Sequence, residues 1–153
     1  KKSIYIITPY LIPDFDVISA LKNAALSGVD VRIIVPGRAD RRFVYYAKQS
    51  YFEQLLEVGV RIFTYDEVFC HSKVIVVDEE IASIGTTNMD IRSFYLNFEV
   101  NVMLYQTDSV QSLLNDFNID SSRSTEVMYS DWIKRPILLR SIQSLAQLFS
   151  SIM

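Results

Sequence analysis

An α/β sandwich, with a mostly parallel central β-sheet flanked by helices, is the fold class the sequence predicts. Two kinds of observation carry it. Three runs, Ser3 to Thr8, Val29 to Val35 and Val60 to Tyr65, are rich in β-branched and aromatic residues and read as strands. Two amphipathic stretches lie between them, and each stops at a glycine followed by valine, at Gly28-Val29 and Gly59-Val60. The joints look alike, and the resulting βαβαβ unit implies crossovers between parallel strands covered by helices.

Each element has its own signals. Pro9 and Pro13 end the first strand, and Asp14 can cap a helix with Phe15, Ile18, Leu21 and Ala25 on its apolar face. Pro36-Gly37 closes the second strand. One helix with Val44, Ala47, Tyr51, Leu55 and Val58 on its inner side then runs to Gly59. Lys73 to Val77 and Ile81 to Ile84 flank Asp78-Glu79-Glu80, a tight hairpin. Gly85 to Leu96 is polar and irregular, as befits a site loop on a rigid scaffold. A strand is expected at Phe98 to Tyr105, a helix at Asp108 to Phe117 and a surface loop at Ser121 to Ser124. Residues 131–153 form a C-terminal amphipathic helix whose stripe Leu138, Ile142, Leu145 and Phe149 is expected to pack as core. Lys134, Arg135 and Arg140 beside it favour a membrane surface as the alternative.

A chain of 153 residues, half of them apolar, supports one domain with a sizeable core. No apolar run approaches the roughly 20 residues of a membrane-spanning helix, and the start lacks the apolar centre of a signal peptide. A start inside a strand without an initiator Met leads us to expect a longer parent chain. The single cysteine, Cys70, excludes an internal disulfide and is expected as a small packed side chain. A net charge of −3 argues against a nucleic-acid partner.

The chemistry gathers at Cys70-His71-Ser72-Lys73-Val74-Ile75-Val76-Val77-Asp78, followed by Gly85-Thr86-Thr87-Asn88 and Asn97-Phe98-Glu99. His71, the only histidine, and Lys73 project from the same face of an extended run and can converge on one phosphate. The imidazole can attack phosphorus or protonate a leaving alcohol. Lys73 and Asn88 would hold the non-bridging oxygens, and Thr86 could add a hydroxyl. Asp78 completes the catalytic set, its expected task being to restrain Lys73 or the hairpin. Arg92, two residues after Asp90, reads first as a local ion pair and second as a headgroup contact. Arg38, Arg41 and Arg42 are either a solvated loop or a basic mouth for anionic headgroups. No metal or cofactor is called for, since no carboxylate cluster has ligand spacing.

His-x-Lys-x-x-x-x-Asp followed by Gly-Thr-x-Asn resembles the HKD signature of the phospholipase D superfamily. With Thr8-Pro9-Tyr10-Leu11-Ile12-Pro13-Asp14 and Leu96-Asn97-Phe98-Glu99, nearly the whole chain is similar to the second half of bacterial cardiolipin synthases. The resemblance implies a phospholipase D-like sandwich in which Glu99 orients a catalytic imidazole. It also implies two HKD halves facing one another, so that this chain supplies half of an active site. The implied activity joins two phosphatidylglycerol molecules into cardiolipin, releasing glycerol through a phosphohistidine, on the cytoplasmic side of a bacterial membrane. The implied partners are phosphatidylglycerol, the membrane surface and a second HKD half. One alternative is a homodimeric phosphodiesterase, phospholipase D or nuclease; another is a degenerate half that only shapes its partner's site.

Overall fold

Ser3–Ile7 (β1) is buried at all but one position and lies inside the sheet, with a strand on either side. The structure, a computed structural model, describes residues 2–149. After the short β2 (Leu11–Ile12), α1 (Phe15–Leu26) begins where Asp14 Oδ1 accepts the Val17 amide at 2.8 Å. Gly28 adopts a φ of 83°, which glycine takes without a Cβ penalty, and β3 (Asp30–Pro36) then runs parallel to β1. The second crossover passes through α2 (Arg42–Ser50) and α3 (Phe52–Leu56) to β4 (Arg61–Tyr65), parallel to β3. One helix is expected over this stretch, and two are found. The Ser50 hydroxyl donates to the Ala47 carbonyl at 2.6 Å, and the Tyr51 amide turns to the Lys48 carbonyl instead.

The rest of the sheet corrects the expectation of mostly parallel strands. The connection 66–73 is too short for a crossover helix, so β5 (Val74–Val77) returns antiparallel to β1. A hairpin brings β6 (Ile81–Gly85) beside it, and β8 (Asn101–Tyr105) follows antiparallel at the edge. Between them β7 (Met89–Asp90) pairs with β2, and α4 (Ile91–Tyr95) follows, so the expected irregular loop carries its own short elements. α5 (Asp108–Ser122) runs on through the start of the expected surface loop, and β9 (Thr125–Glu126) closes the other edge against β4. Among the described residues the sheet is mixed, in the order β8-β6-β5-β1-β3-β4-β9, with only β1-β3 and β3-β4 parallel.

Alternation along the strands builds a core on each face. Ile6, Ile33 and Ile62 stand side by side in register and pack with Leu21 of α1 and Phe52 and Leu55 of α3. Tyr5, Ile7, Ile34 and Phe63 point the other way, onto Val110, Leu114 and Phe117 of α5, with the Tyr5 and Phe117 rings stacked at 4.9 Å. Half-buried Cys70 packs against this second cluster.

The expected face of α1 buries Ile18 and Leu21 but not Phe15, and the expected face of α7 is turned outward. Phe15 is 81% exposed: at about 3.6 residues per turn it lies well round the helix from Leu21, outside the buried stripe. The C-terminal segment folds as α6 (Tyr129–Trp132) and α7 (Ile137–Leu148), while positions 150–153 of the anticipated helix lie outside the described residues. Leu138, Ile142, Leu145 and Phe149 are exposed, and the buried residues of α7 are Gln143 and Ala146. A polar latch, more than an apolar stripe, therefore seats this helix. Gln143 donates to Gln49 at 2.9 Å and accepts from Arg135 at 2.8 Å, and Arg135 pairs with Glu53 at 2.8 Å. Ala146 is small enough to let α7 approach closely.

Asp78 and Glu79 both have positive φ, 54° and 62°, as a tight hairpin with the twist of its strands requires. The Asp78 carboxylate accepts the amides of Lys2 at 2.5 Å and Ser3 at 3.0 Å, and so fixes the start of β1. Replacing Asp78 with Ala should lower the unfolding free energy by about 1.5–3 kcal/mol, the scale of a hydrogen bond to a charged group. Urea denaturation followed by circular dichroism checks this; unchanged stability would separate Asp78 from the β1 start.

Candidate active site

Val74 lies opposite Ile7 on one side and Ile84 on the other. The residues leaving β1, entering β5 and leaving β6 therefore emerge together at one end of the sheet. Asn101, opposite Gly85, adds the entry to β8. This convergence gathers Thr8 to Tyr10, His71 to Lys73, Thr86 to Asn88 and Glu99 from distant parts of the chain.

Lys73 Nζ lies 3.0 Å from His71 Nδ1 and 3.2 Å from Nε2, and donates to the His71 carbonyl at 2.7 Å. The nitrogen that carries the lone pair accepts from the ammonium. Burial holds the Lys73 pKa below the ordinary lysine value, against the opposing charge of Glu99. A partly desolvated ammonium interacts more strongly with an incoming anion than a fully hydrated one. The His71 ring is bracketed by Tyr10, edge-on at 6.4 Å, and Phe69 at 6.1 Å.

Asn88 is held by Ser93, a residue that sequence reasoning did not single out. The buried Ser93 hydroxyl accepts the Asn88 backbone amide at 3.1 Å and its Nδ2 at 3.3 Å, and donates to Glu99 at 2.9 Å. One hydroxyl hydrogen and two lone pairs are thus used in full. Asn88 itself lines a small cavity that Lys73 also lines. Its Oδ1 is buried without a partner among the described residues. The available signal for Ser93 was its place three residues after Asp90, whose carboxylate accepts the Ser93 amide at 2.7 Å and caps α4.

Glu99 accepts from Ser93 and from Asn97 Nδ2 at 3.2 Å. Hydrogen bonding, first from the Thr86 hydroxyl, holds its carboxyl below the usual carboxylate range. Among the described residues it makes no hydrogen bond to His71; within this chain it organises Ser93, and through it Asn88. Thr86 Oγ1 also accepts the Val100 amide at 2.9 Å, which ties the loop after β6 to the entry of β8.

A small cavity of about 90 Å³ touches both Lys73 and Asn88, with Thr8, Ser83, Thr87 and Asn101 among its walls. Asn88 also lines a mouth of about 500 Å³ with Tyr10, Arg41, Phe43, Arg92 and Asn97. Arg41 and Arg92 are thus brought to the site, whereas Arg38 and Arg42 line neither space. Arg92 forms no ion pair among the described residues, which corrects its expected pairing with Asp90, whose carboxylate serves as the helix cap. Asp78 also stands apart, at the far end of β5 from Lys73, because Val74 to Val77 separate them in an extended strand.

The chain matches the family model described as "Cardiolipin synthase, PLD-like domain" over residues 1–121. It is 54% identical to the cardiolipin synthase of Alkalihalophilus pseudofirmus over 153 residues, all of this chain and 30% of that protein. Against the major cardiolipin synthase of Bacillus subtilis the identity is 45%, again over the whole chain and 32% of the relative. The chain therefore spans about a third of the length of these curated relatives. Among solved structures, Nuc of Salmonella typhimurium, a phospholipase D family member, superposes with a TM-score of 0.71 at 24% identity, covering 84% of this chain and 83% of that one. The phosphatidylserine synthase of Haemophilus influenzae gives 0.77 at 15% identity, covering 100% of this chain and 42% of that one. These two likenesses are of fold. The family model and the identity along the whole of this chain place it in the cardiolipin synthase family of phospholipase D-like domains.

Proposed function

We propose that this chain supplies one half of the active site of a phosphatidyltransferase that makes cardiolipin from two phosphatidylglycerol molecules. The observation that carries the reading is the contact of Lys73 Nζ with both nitrogens of the only imidazole, in a site where Asn88 faces the same small cavity. In the first step one imidazole nitrogen attacks phosphorus, forming a P–N bond as the P–O bond to glycerol breaks; a second imidazole gives its proton to the departing alkoxide. In the second step a hydroxyl of another phosphatidylglycerol attacks phosphorus. Its proton passes to the second imidazole, and the P–N bond breaks to free the first. Lys73 and Asn88 stabilise the equatorial oxygens in both steps. Thr86 and Glu99 set the amide of Asn88 through Ser93, and Glu99 can orient an imidazole once the second half is in place. Arg41 and Arg92 at the mouth suit anionic headgroups, with Arg38 and Arg42 further out on the same loop and helix start.

One imidazole cannot be nucleophile and acid at once. The second is supplied by another HKD half, in a longer chain or a second copy. The exposed edge strand β8 supports this: Val100, Val102, Met103 and Tyr105 are open to solvent two strands from Lys73, with Phe98 beside them. Work on a bilayer substrate places the enzyme at the bacterial cytoplasmic membrane, although no described helix is long and apolar enough to cross it.

Trapping the longer protein with substrate and searching its peptides by mass spectrometry should find a phosphatidyl group on His71 or on the second imidazole. Lys73→Met and Asn88→Ala should each lower turnover by about a hundredfold or more, the scale of a lost oxyanion donor. Ordinary turnover with only a raised substrate requirement would remove both from the clamp.

The 153-residue chain as a monomer should be essentially inactive on phosphatidylglycerol, and any activity should reside in a symmetric dimer. Mixing equal amounts of this chain and its His71→Ala variant should then leave about a quarter of the dimers with two histidines, and about a quarter of the activity per total chain. Half the activity, from protein that light scattering finds monomeric, contradicts the half-site reading.

A further inference from the structure

We infer that the outer face of α7, together with Phe15 and Phe43, is the surface that docks on an anionic lipid bilayer. The inference rests on the phosphatidyltransferase reading. Leu138, Leu145 and Leu148 are 74%, 56% and 75% exposed, so α7 turns the apolar side of an amphipathic helix outward. This face continues to the site. The Phe149 ring lies 6.3 Å from that of Phe43, and Phe43 lines the mouth that reaches Asn88. A groove of about 540 Å³ between the start of α1 and the end of α7 is walled by Phe15, Ile18, Leu148 and Ile91, and Ile91 is shared with the mouth. An apolar surface therefore runs from α7 to the edge of the mouth, whose own walls mix Phe43 and Ile91 with Arg41, Asp90 and Arg92.

Charge selects the occupant. Arg38, Arg41, Arg42 and Arg92 form no ion pair among the described residues. Of the nearby acids Asp14, Asp40, Asp90 and Glu53, only Glu53 is paired with cations; the other three take hydrogen bonds from uncharged donors and stay anionic. Asp14 accepts from Val17 and Tyr95, Asp40 from Tyr10 and Arg41, Asp90 from Ser93, and Glu53 pairs with Arg135 and Arg140. Cations around an apolar face match anionic headgroups above acyl chains. A two-chain lipid keeps its phosphate near the bilayer plane, so a clamp that receives it must open at that plane. On this surface α7 lies in the interface beside the mouth, and the lipid enters with its chains still in the bilayer.

The test uses the 153-residue chain carrying Cys70→Ser, with a fluorophore at Leu145→Cys or Leu148→Cys and a control at exposed Asn118→Cys on α5. With vesicles of phosphatidylglycerol and phosphatidylcholine, lipids spin-labelled along the acyl chain should quench the two α7 positions and not the control. The double variant Leu145→Ser, Leu148→Ser should lose about tenfold or more of its vesicle association while keeping its circular dichroism spectrum. Equal quenching at all three positions, or none, overturns the inference. Labels shielded from aqueous iodide without vesicles, in protein that light scattering finds dimeric, assign the face to a second copy and also overturn it. His71→Ala should dock as well as the parent. Docking without phosphatidyl transfer by the longer protein would thus count against the catalytic reading alone, and transfer with unquenched α7 labels against this inference alone.

Discussion

The antiparallel pairing of β5 against β1, with Val74 opposite Ile7, is the constraint on which the site depends. It sets His71 and Lys73 beside the residues that leave β1, and the pairing of Val74 with Ile84 adds the loop that carries Asn88. A slip of one residue would turn Lys73 to the opposite face. Several contacts guard the register. The buried Thr8 hydroxyl accepts the Met89 amide at 3.1 Å and donates to the Tyr10 carbonyl at 2.8 Å, joining the end of β1 to β7. Gly85 leaves room for the chain entering β8, because a Cβ there would run into the Val100 carbonyl and Asn101. Asp78 performs the matching task at the opposite end, where it fixes the start of β1.

Charge is arranged against the grain of the composition. The chain carries a net charge of −3, yet Arg41, Arg92 and the Asn88 amide line the mouth with Asp90 as its one acid, and Lys73 stands with Asn88 in the small cavity. Lys48 contributes indirectly. It is 3% exposed, its ammonium donates to the Pro36 carbonyl at 2.5 Å and lies 4.9 Å from the Tyr45 ring centre, and burial pushes its pKa down to about 8. This contact ties α2 to the end of β3 immediately before the arginine loop. Tyr10 holds the same loop from the other side through Asp40, while its ring stands edge-on to His71. The position of Arg41 and the setting of the imidazole thus share one tyrosine.

The parts of the fold legible in the sequence were those governed by local chemistry. Asp14 as a cap, Gly28 and Gly59 as helix stops and Asp78-Glu79 as a hairpin each follow from the conformations those residues favour. His71, Lys73 and Asn88 stood out for another reason: an imidazole and an ammonium two residues apart share one face of an extended run, and Gly-Thr-x-Asn follows at the spacing of the resembled motif. Two similar crossovers say nothing of how β5 returns; its antiparallel direction follows from the short 66–73 connection, which has no room for a crossover helix. Ser93 was hidden because a serine in a polar loop carries no distinguishing pattern; its importance comes from burial beneath Asn88 and Glu99. The face of α7 was misread because periodicity finds a stripe without saying which side packs. Here Gln143 and Ala146 offered a closer fit to α2 than leucines could, and the hydrogen bonds to Gln49 and Arg135 satisfy the buried amide.

Two outward apolar surfaces remain, and their settings differ. The β8 edge has free backbone groups beside exposed Val102 and Tyr105, two strands from Lys73, and suits a protein surface that can meet both its side chains and its hydrogen-bonding groups. The α7 face has its backbone satisfied within the helix, carries leucines and isoleucines, and adjoins the arginine-lined mouth. Hydrocarbon can accept such a helix but offers nothing to an open strand edge. If one imidazole must come from a second half while the lipid stays in its bilayer, the two needs call for two surfaces of these two kinds. They lie on separate parts of the molecule, β8 at one edge of the sheet and α7 against α2, so the proposed second half and the proposed membrane contact do not compete for one surface.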